Sequence, residues 1–155
     1  MLLAALIAFF MQASISDASI SIKSKTYYYQ INGSTTGELK AQMRKKGPNG
    51  HWAYAVWFID WDNEGCDVSV KINYIYPNWT NINKAPNSVQ LIWRKMIRAL
   101  KKHEKNHARN GIMAGRAIHK NKCKNPGSTI HKWSAKDQEY DRNTGHGKTE
   151  GVVLP

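Results

Sequence analysis

Residues 89–118 read VQLIWRKMIRALKKHEKNHARNGIMAGRAI, and this stretch decides the fold. Apolar or small residues and two histidines recur in it at intervals of three and four, which is the spacing of one face of an α-helix. Lysine and arginine dominate the positions between them, as expected of a solvated back face. The stripe consists of Val89, Trp93, Met96, Leu100, His103, His107, Gly111, Ala114 and Ile118. The pattern predicts one long amphipathic helix with Ser88 as its N-cap.

The stripe contains the motif H-E-x-x-H, formed by His103, Glu104 and His107. On a helix the two imidazoles lie one turn apart on one face, with the carboxylate beside them. This arrangement predicts that His103 and His107 bind Zn²⁺ and that Glu104 is the catalytic general base. The alternative is a hydrogen-bonded cluster inside the core. Because burying an unpaired glutamate costs on the order of several kcal/mol, three ionisable groups on an apolar stripe favour the zinc interpretation.

A catalytic zinc site needs a third protein ligand and one open position. The metzincin extension of the motif fails, because Asn110 and Met113 stand where its glycine and third histidine should be. A glutamate on a following helix also fits poorly, because Glu139 lies in a polar stretch with a weak helical pattern. The remaining candidates lie in residues 139–147, EYDRNTGHG.

His146 is the favoured third ligand in this stretch, because imidazole is a frequent zinc ligand and its flanking glycines allow close backbone approach. Asp141 is the second candidate, either as a ligand or as a group that orients a ligand imidazole. Glu139 ranks after both. Tyr140 is a candidate hydrogen-bond donor to an oxyanion, with simple packing as the alternative.

The segments before the long helix have strand character. Residues 19–31 alternate, and residues 52–61 and 67–76 are rich in aromatic and β-branched side chains. A short helix capped by Thr35 or Thr36 is predicted to run through residues 39–43 and to stop near residues 46–50, and little regular structure is expected beyond Cys123. We therefore expect a single α+β domain in which a small antiparallel sheet packs on the long H-E-x-x-H helix.

The N-terminus and the cysteines both suggest export. Residues 1–11 are an apolar run too short to span a bilayer, followed by small residues, which predicts a signal peptide over residues 1–18 cleaved before Ser19. An uncleaved anchor or buried strand is the alternative. Cys66 and Cys123 are predicted to form one disulfide in an oxidising compartment, since they lack the spacing of a zinc site. The expected location is secreted or periplasmic.

The formal net charge of +12 would suit an anionic partner. The cations are spread over the back face of the predicted helix and residues 120–124, without a recognised nucleic-acid motif. We therefore expect no specific nucleic-acid partner, and keep electrostatic contact with an anionic envelope as an expectation.

These features together resemble a bacterial family described as secreted zinc-dependent proteases, within the zincin class. The likeness runs from about Tyr27 to the C-terminus and rests on the Tyr-rich first strand, residues 57–62, Cys66, residues 71–77, the H-E-x-x-H motif and a terminal Tyr140-Asp141-x-x-Thr144-x-His146-Gly147. The resemblance implies secretion and the metallopeptidase class, and it brings no known substrate. We expect a zincin-like metallopeptidase domain over residues 19–155 with a peptide or protein substrate. In the aspzincin class a downstream aspartate completes the zinc site, and Asp141 with Thr144 is similar to that pattern.

The sequence thus predicts a zinc metallopeptidase. Two alternatives remain: a basic module that binds nucleic acid or an anionic envelope and whose histidine pair is inert or structural, and a zinc-dependent amidase acting on non-peptide amides. Binding by phosphate neutralisation weakens steeply with salt, whereas zinc hydrolysis is stopped by chelation at any salt concentration.

Overall fold

Three strands and three α-helices make up residues 19–155, the part of the chain that the computed structural model describes. The strands are β1 (Ile20–Ile31), β2 (Tyr54–Trp61) and β3 (Val68–Trp79), and the helices are α1 (Thr36–Lys46), α2 (Asn87–Lys120) and α3 (Pro126–Thr144). Short 3₁₀ turns lie at Pro48–Gly50, Ile82–Lys84 and Lys148–Glu150. The predicted signal peptide, residues 1–18, lies outside the described residues.

The sheet is mixed, with strand order β1-β3-β2. The hairpin of β2 and β3 is antiparallel, with Tyr54 opposite Ile75, as the sequence predicts. The expectation of a wholly antiparallel sheet is wrong for β1, which pairs with β3 in parallel, Ile20 lying opposite Val68. The second strand of the hairpin, β3, is the one that lies next to β1. It runs in the same direction as β1, so the pairing is parallel.

Helix α2 packs on one face of the sheet, as predicted for the long helix. One apolar cluster joins Ala108 and Ile118 of α2 to Val68, Val70 and Ile72 of β3. The contact is close at two helical glycines: a Cβ atom at Gly111 would collide with the side chain of Trp57, and one at Gly115 would collide with Val70. A second cluster joins the first half of α2 to α1, β1 and the C-terminus, and contains Trp93, Met96, Leu100, Ile31, Leu39, Met43, Val152 and Leu154.

The predicted disulfide is confirmed. Cys66 and Cys123 are bonded, with a Cα–Cα distance of 5.5 Å and a sequence separation of 57. The bond ties the residues before β3 to the residues after α2, so it fixes one end of the helix against the sheet.

Helix α3 corrects the expectation of little regular structure beyond Cys123. It has Pro126 in its first turn and ends at Gly145, which adopts the left-handed conformation with φ of 57°. Only Thr144 is buried among its residues, so the helix has no apolar stripe that a periodicity argument could detect. Polar side-chain contacts to α2, such as that of Asp137 with His107, are added to the packing of the partly buried Ile130.

No helix within residues 19–155 combines the length and the apolar character that a membrane crossing requires.

Candidate metal centre

The two histidines of the H-E-x-x-H motif lie on the buried face of α2, one turn apart. Their Nε2 atoms are 3.1 Å from each other. Asp141, on α3, brings its Oδ1 atom to 3.2 Å from Nε2 of His103 and 3.1 Å from Nε2 of His107. The three residues form a group that could hold a metal ion.

Each imidazole also contacts a second carboxylate through its other nitrogen. Nδ1 of His107 lies 2.9 Å from Oδ1 of Asp137, and Nδ1 of His103 lies 2.8 Å from Oε2 of Glu150. An ionised carboxylate can only accept a hydrogen bond, so a neutral imidazole in either place donates its proton from Nδ1. The lone pair of each Nε2 atom then faces Asp141.

Three acceptor atoms therefore converge on one point, and an arrangement of this kind needs a cation or a proton between them. The three separations of 3.1, 3.1 and 3.2 Å can be compared with a zinc site. Ligands about 2.0–2.1 Å from a tetrahedral ion lie roughly 3.3 Å from one another. Two imidazoles and a carboxylate also suit zinc chemically, although other divalent transition metals accept the same donors.

The carboxylates around the candidate metal centre favour positive charge next to them. Burial alone would lower the pKa of His107, but the hydrogen bond and negative charge of Asp137, helped by Asp141 and Glu104, raise it. Burial alone would raise the pKa of Glu150, but hydrogen bonds from Tyr140 and His103 lower it. Glu150 is thus favoured as an anion next to its imidazole.

The two outer carboxylates are themselves held by polar side chains. Nδ2 of Asn110 donates to Oδ1 of Asp137 at 2.6 Å. The hydroxyl of Tyr140 donates to Glu150 at 2.8 Å and accepts from Nδ2 of Asn106 at 2.7 Å. These bonds engage the Tyr140 hydroxyl on the Nδ1 side of His103, the side away from Asp141.

Glu104 lies beside this group on α2, with an exposed fraction of only 5%. Burial raises the pKa of Glu104 to about 7, and the negative charges of Asp141 and Asp137 act in the same direction. His107 and a hydrogen bond from the Ala55 backbone partly oppose the shift. A carboxyl group with a pKa near neutrality can exchange a proton with substrate or water at physiological pH.

His146, the favoured third ligand in the sequence, lies outside the three-residue group. Its side chain is 63% exposed, and its Nδ1 atom is 3.4 Å from Oδ1 of Asp141. Its imidazole faces that of His51, with 5.6 Å between the ring centroids. The residue follows the end of α3 in a left-handed conformation with φ of 53°, whereas Asp141 is inside the helix and faces α2. The geometry thus places Asp141, the second candidate, between the two histidines. Glu139 is exposed.

The group opens into a cleft of about 830 Å³. Residues 54–57 of β2 line one side of it, and Ile130, Ser134 and Gln138 of α3 line the other. Within the described part of the chain, β2 is an edge strand that pairs only with β3. Glu104, His103 and His107 all line the cleft, so a bound molecule can reach them.

Sequence reasoning missed Asp137 and Glu150. Asp137 precedes Asp141 by four positions, the spacing that places two carboxylates on one helical face. Asn125-Pro126 before this segment and Gly145 after it are start and stop signals for a helix, so α3 and its acidic face could have been found. Nothing in the sequence distinguishes Glu150, because its position depends on the turn after α3.

The fold and this site define a small α+β protein with a candidate metal centre between its two C-terminal helices. The chain belongs to the family described as "Bacterial protein of unknown function (DUF922)", which it matches over residues 26–147. Comparison with curated proteins and with solved structures finds no match.

Proposed function

We propose that this chain is a secreted zinc metallopeptidase in which His103, His107 and Asp141 hold the ion and Glu104 is the general base. One observation carries the proposal: three acceptor atoms converge at 3.1–3.2 Å beside a buried glutamate in an open cleft. A metal site with three protein ligands leaves a fourth position for water, as catalytic zinc sites do.

Each residue around the group has a role in this proposal. Bound zinc would lower the pKa of a water molecule towards ~7 and polarise the scissile carbonyl. With zinc bound, Glu104 would be the group that takes a proton from water and transfers it to the leaving amine, as a buried carboxylate beside the ion can do. Asp137 and Glu150 fix the imidazole orientations and make Nε2 a better donor to a metal.

The edge strand supports a peptide as the substrate. Residues 54–57 of β2 border the cleft, and β2 has one partner strand among the described residues. An extended peptide can add to such an edge through main-chain hydrogen bonds, which fixes it without demanding particular side chains. A small non-peptide amide would leave most of this edge unused, so we favour peptide over other amides.

Covalent chemistry supports export as the proposed location. A disulfide forms and persists in oxidising compartments, and Cys66 and Cys123 are bonded. Together with the apolar run of residues 1–11, this favours export.

Metal analysis of the purified protein, combined with a cleavage assay on mixed peptides, tests the proposal. We expect about one zinc per chain and cleavage that a chelator stops and added zinc restores. His107→Ala is the matched negative control, because it removes a ligand. Protein without bound metal and without chelator-sensitive cleavage would contradict the proposal.

A second candidate function, binding to an anionic envelope, rests on a different observation. Nine exposed cations lie on α2, within about 120° of the helix circumference and along about 39 Å of its axis. They are Arg94, Lys95, Arg98, Lys101, Lys102, Lys105, Arg109, Arg116 and Lys120. The only acidic residue of α2 is the buried Glu104, which faces away from this basic stripe.

Binding of the chain to anionic phospholipid vesicles tests the second function. A basic surface of this kind gains about 1 kcal/mol per cation near an anionic membrane, and salt screens the attraction. Binding that disappears at high salt and is insensitive to chelation is the expected result. Equal binding to neutral vesicles would contradict it.

A further inference from the structure

The cleft is electrostatically asymmetric. The carboxylates that line it, Glu104, Asp137 and Asp141, all belong to the candidate metal centre and its neighbourhood. Its cationic and imidazole groups outside that centre are instead contributed by the end of α1, the residue stretch before β2 and the turn after α3. These groups are Arg44, His51, His146 and Lys148, and the side chains of all four are exposed.

Two stretches that are distant in the sequence, residues 44–51 and 146–148, bring these groups together. Arg44 is in the last turn of α1, and the backbone at Gly47 directly after this turn is in contact with the His51 carbonyl. The His51 ring is 5.6 Å from the His146 ring between centroids, and Lys148 follows in the same turn. A single cation here would need no explanation, since basic residues are common at the end of a helix. A set drawn from two distant stretches does.

The neighbouring cations at the end of α1 differ in whether they line the cleft. Helix α1 ends with Arg44, Lys45 and Lys46, yet only Arg44 lines the cleft. Lys46 donates a hydrogen bond to the backbone carbonyl of Gln30, and so is directed towards β1. The net positive charge of the chain therefore does not by itself explain which cations line the cleft.

We infer that the part of the cleft lined by Arg44 and Lys148 is a subsite for a carboxylate of the bound peptide. The inference rests on the proposed function for the peptide ligand. Trp57 and Ile130, which are apolar and belong to one cluster, also line the cleft. A peptide extended along β2 would then place a carboxylate near Arg44 and Lys148 and an apolar side chain near Trp57. The carboxylate belongs either to an Asp or Glu side chain or to the C-terminus of the peptide.

The expected preference is moderate. An exposed ion pair contributes about 0.2–1 kcal/mol, which is a factor of roughly 1.4–5 in affinity. Two cations acting on one carboxylate, with imidazoles next to them, therefore predict a preference of about three- to tenfold over a neutral peptide. The preference should decrease between 0.1 M and 1 M salt, because the Debye length falls from about 10 Å to 3 Å.

The experiment is equilibrium binding of four fluorescein-labelled peptides to the Glu104→Gln chain, which should not turn them over. The peptides have the same apolar residues and carry Glu or Gln at one position, each with a free or an amidated C-terminus. Arg44→Glu and Lys148→Glu should each remove most of the preference for the anionic peptides. Lys45→Glu is the matched control, because it changes the net charge equally on the same helix but does not line the cleft.

The outcomes separate the two sources of the carboxylate. Weaker binding after Glu is replaced by Gln assigns the subsite to a side chain, and weaker binding after amidation assigns it to the C-terminus. Equal affinity for all four peptides, or an equal loss in Lys45→Glu, would overturn the inference. Binding is measured without catalysis, so the two proposals can fail separately. A preference for anionic peptides without any cleavage by the wild-type chain would contradict the peptidase proposal alone. Cleavage without that preference would contradict the subsite alone.

Discussion

Oε2 of Glu150 lies 2.8 Å from Nδ1 of His103, although 47 positions separate the two residues. Glu150 reaches the imidazole from the 3₁₀ turn after α3, and Tyr140 and Asn106 complete the contact from two helices. The residues after α3 therefore form one wall of the candidate metal centre. A carboxylate in this position fixes the tautomer of the imidazole and increases its basicity at Nε2.

We predict that Glu150→Gln weakens zinc binding by about 10–100-fold while the fold is retained, because the amide keeps the shape and loses the negative charge. Competition with a zinc chelator of known affinity measures the change. Glu139→Gln is the control, since Glu139 is exposed on α3. Unchanged zinc affinity in Glu150→Gln would mean that Glu150 only packs against the site.

The second prediction ranks the two candidates for the third ligand. Asp141→Ala should severely reduce zinc occupancy, because it removes the oxygen that lies 3.1–3.2 Å from both Nε2 atoms. His146→Ala should keep nearly full occupancy, because that side chain is 63% exposed and outside the group. Zinc content after gel filtration distinguishes them. The reverse ranking would restore His146, the ligand that the sequence favours.

Sequence reasoning reached α2 and its site residues because two strong signals coincide there. The stripe from Val89 to Ile118 has helical period over eight turns, and the H-E-x-x-H spacing has a chemical meaning on a helix only. The disulfide is predictable from a cysteine count of two in a chain whose residues 1–11 are apolar. Each of these inferences uses the local sequence or a residue count, and none depends on knowing which elements pack together.

The sequence-based predictions that the structure corrects have a common physical origin. Helix α3 buries only Thr144, so its stability depends on contacts such as Asp137 with His107 that no periodicity records. The parallel pairing of β1 depends on which strand of the β2–β3 hairpin lies next to it, and tertiary packing decides this. Ligand preference and the flanking glycines favour His146 over Asp141 in the sequence, whereas the packing of α3 on α2 brings Asp141 to the two histidines.

The third prediction concerns Glu104 as a general base. Glu104→Gln should bind zinc as well as the wild type, because Glu104 is outside the three-ligand group, but should lose about 10²–10⁴-fold in peptide turnover. The two measurements are zinc stoichiometry and the initial rate on the best peptide from a mixture. Glu64→Gln, in an exposed loop, is the control. A Glu104→Gln chain that keeps more than about a tenth of wild-type turnover would show that the proton leaves by another route.

The fourth prediction is that the disulfide stabilises the domain substantially. The bond closes a loop with a separation of 57 residues, for which the chain-entropy relation gives about 4 kcal/mol. The double substitution Cys66→Ala and Cys123→Ala should lower the free energy of unfolding in urea by about 2–4 kcal/mol. Mass spectrometry of the exported protein under non-reducing conditions provides the complementary measurement. Two alkylated thiols would argue against both the bond and export.

The fifth prediction concerns the stability of the metal-free chain as a function of pH. Glu104 has a folded-state pKa of about 7 against an ordinary value of 4.5, so the folded state holds its proton more tightly than the unfolded state. Below pH 4.5 the carboxyl is protonated in both states and costs nothing. As pH rises from 4.5 to 7 the folded state pays a growing charge penalty, and above 7 the penalty is constant at up to roughly 3 kcal/mol.

Glu104→Gln cannot ionise and should therefore be more stable than the wild type at pH 8, by about 1–3 kcal/mol in the absence of metal. The difference should shrink towards pH 4, where both side chains are neutral. Urea unfolding of chelator-treated protein at pH 4, 6 and 8 measures it, with Glu64→Gln as the surface control. A stability difference that does not change across this range would mean that the pKa of Glu104 is the same in the folded, metal-free chain as in the unfolded chain. That result would require a different charge balance around His107 and Asp141 from the one that their contacts imply.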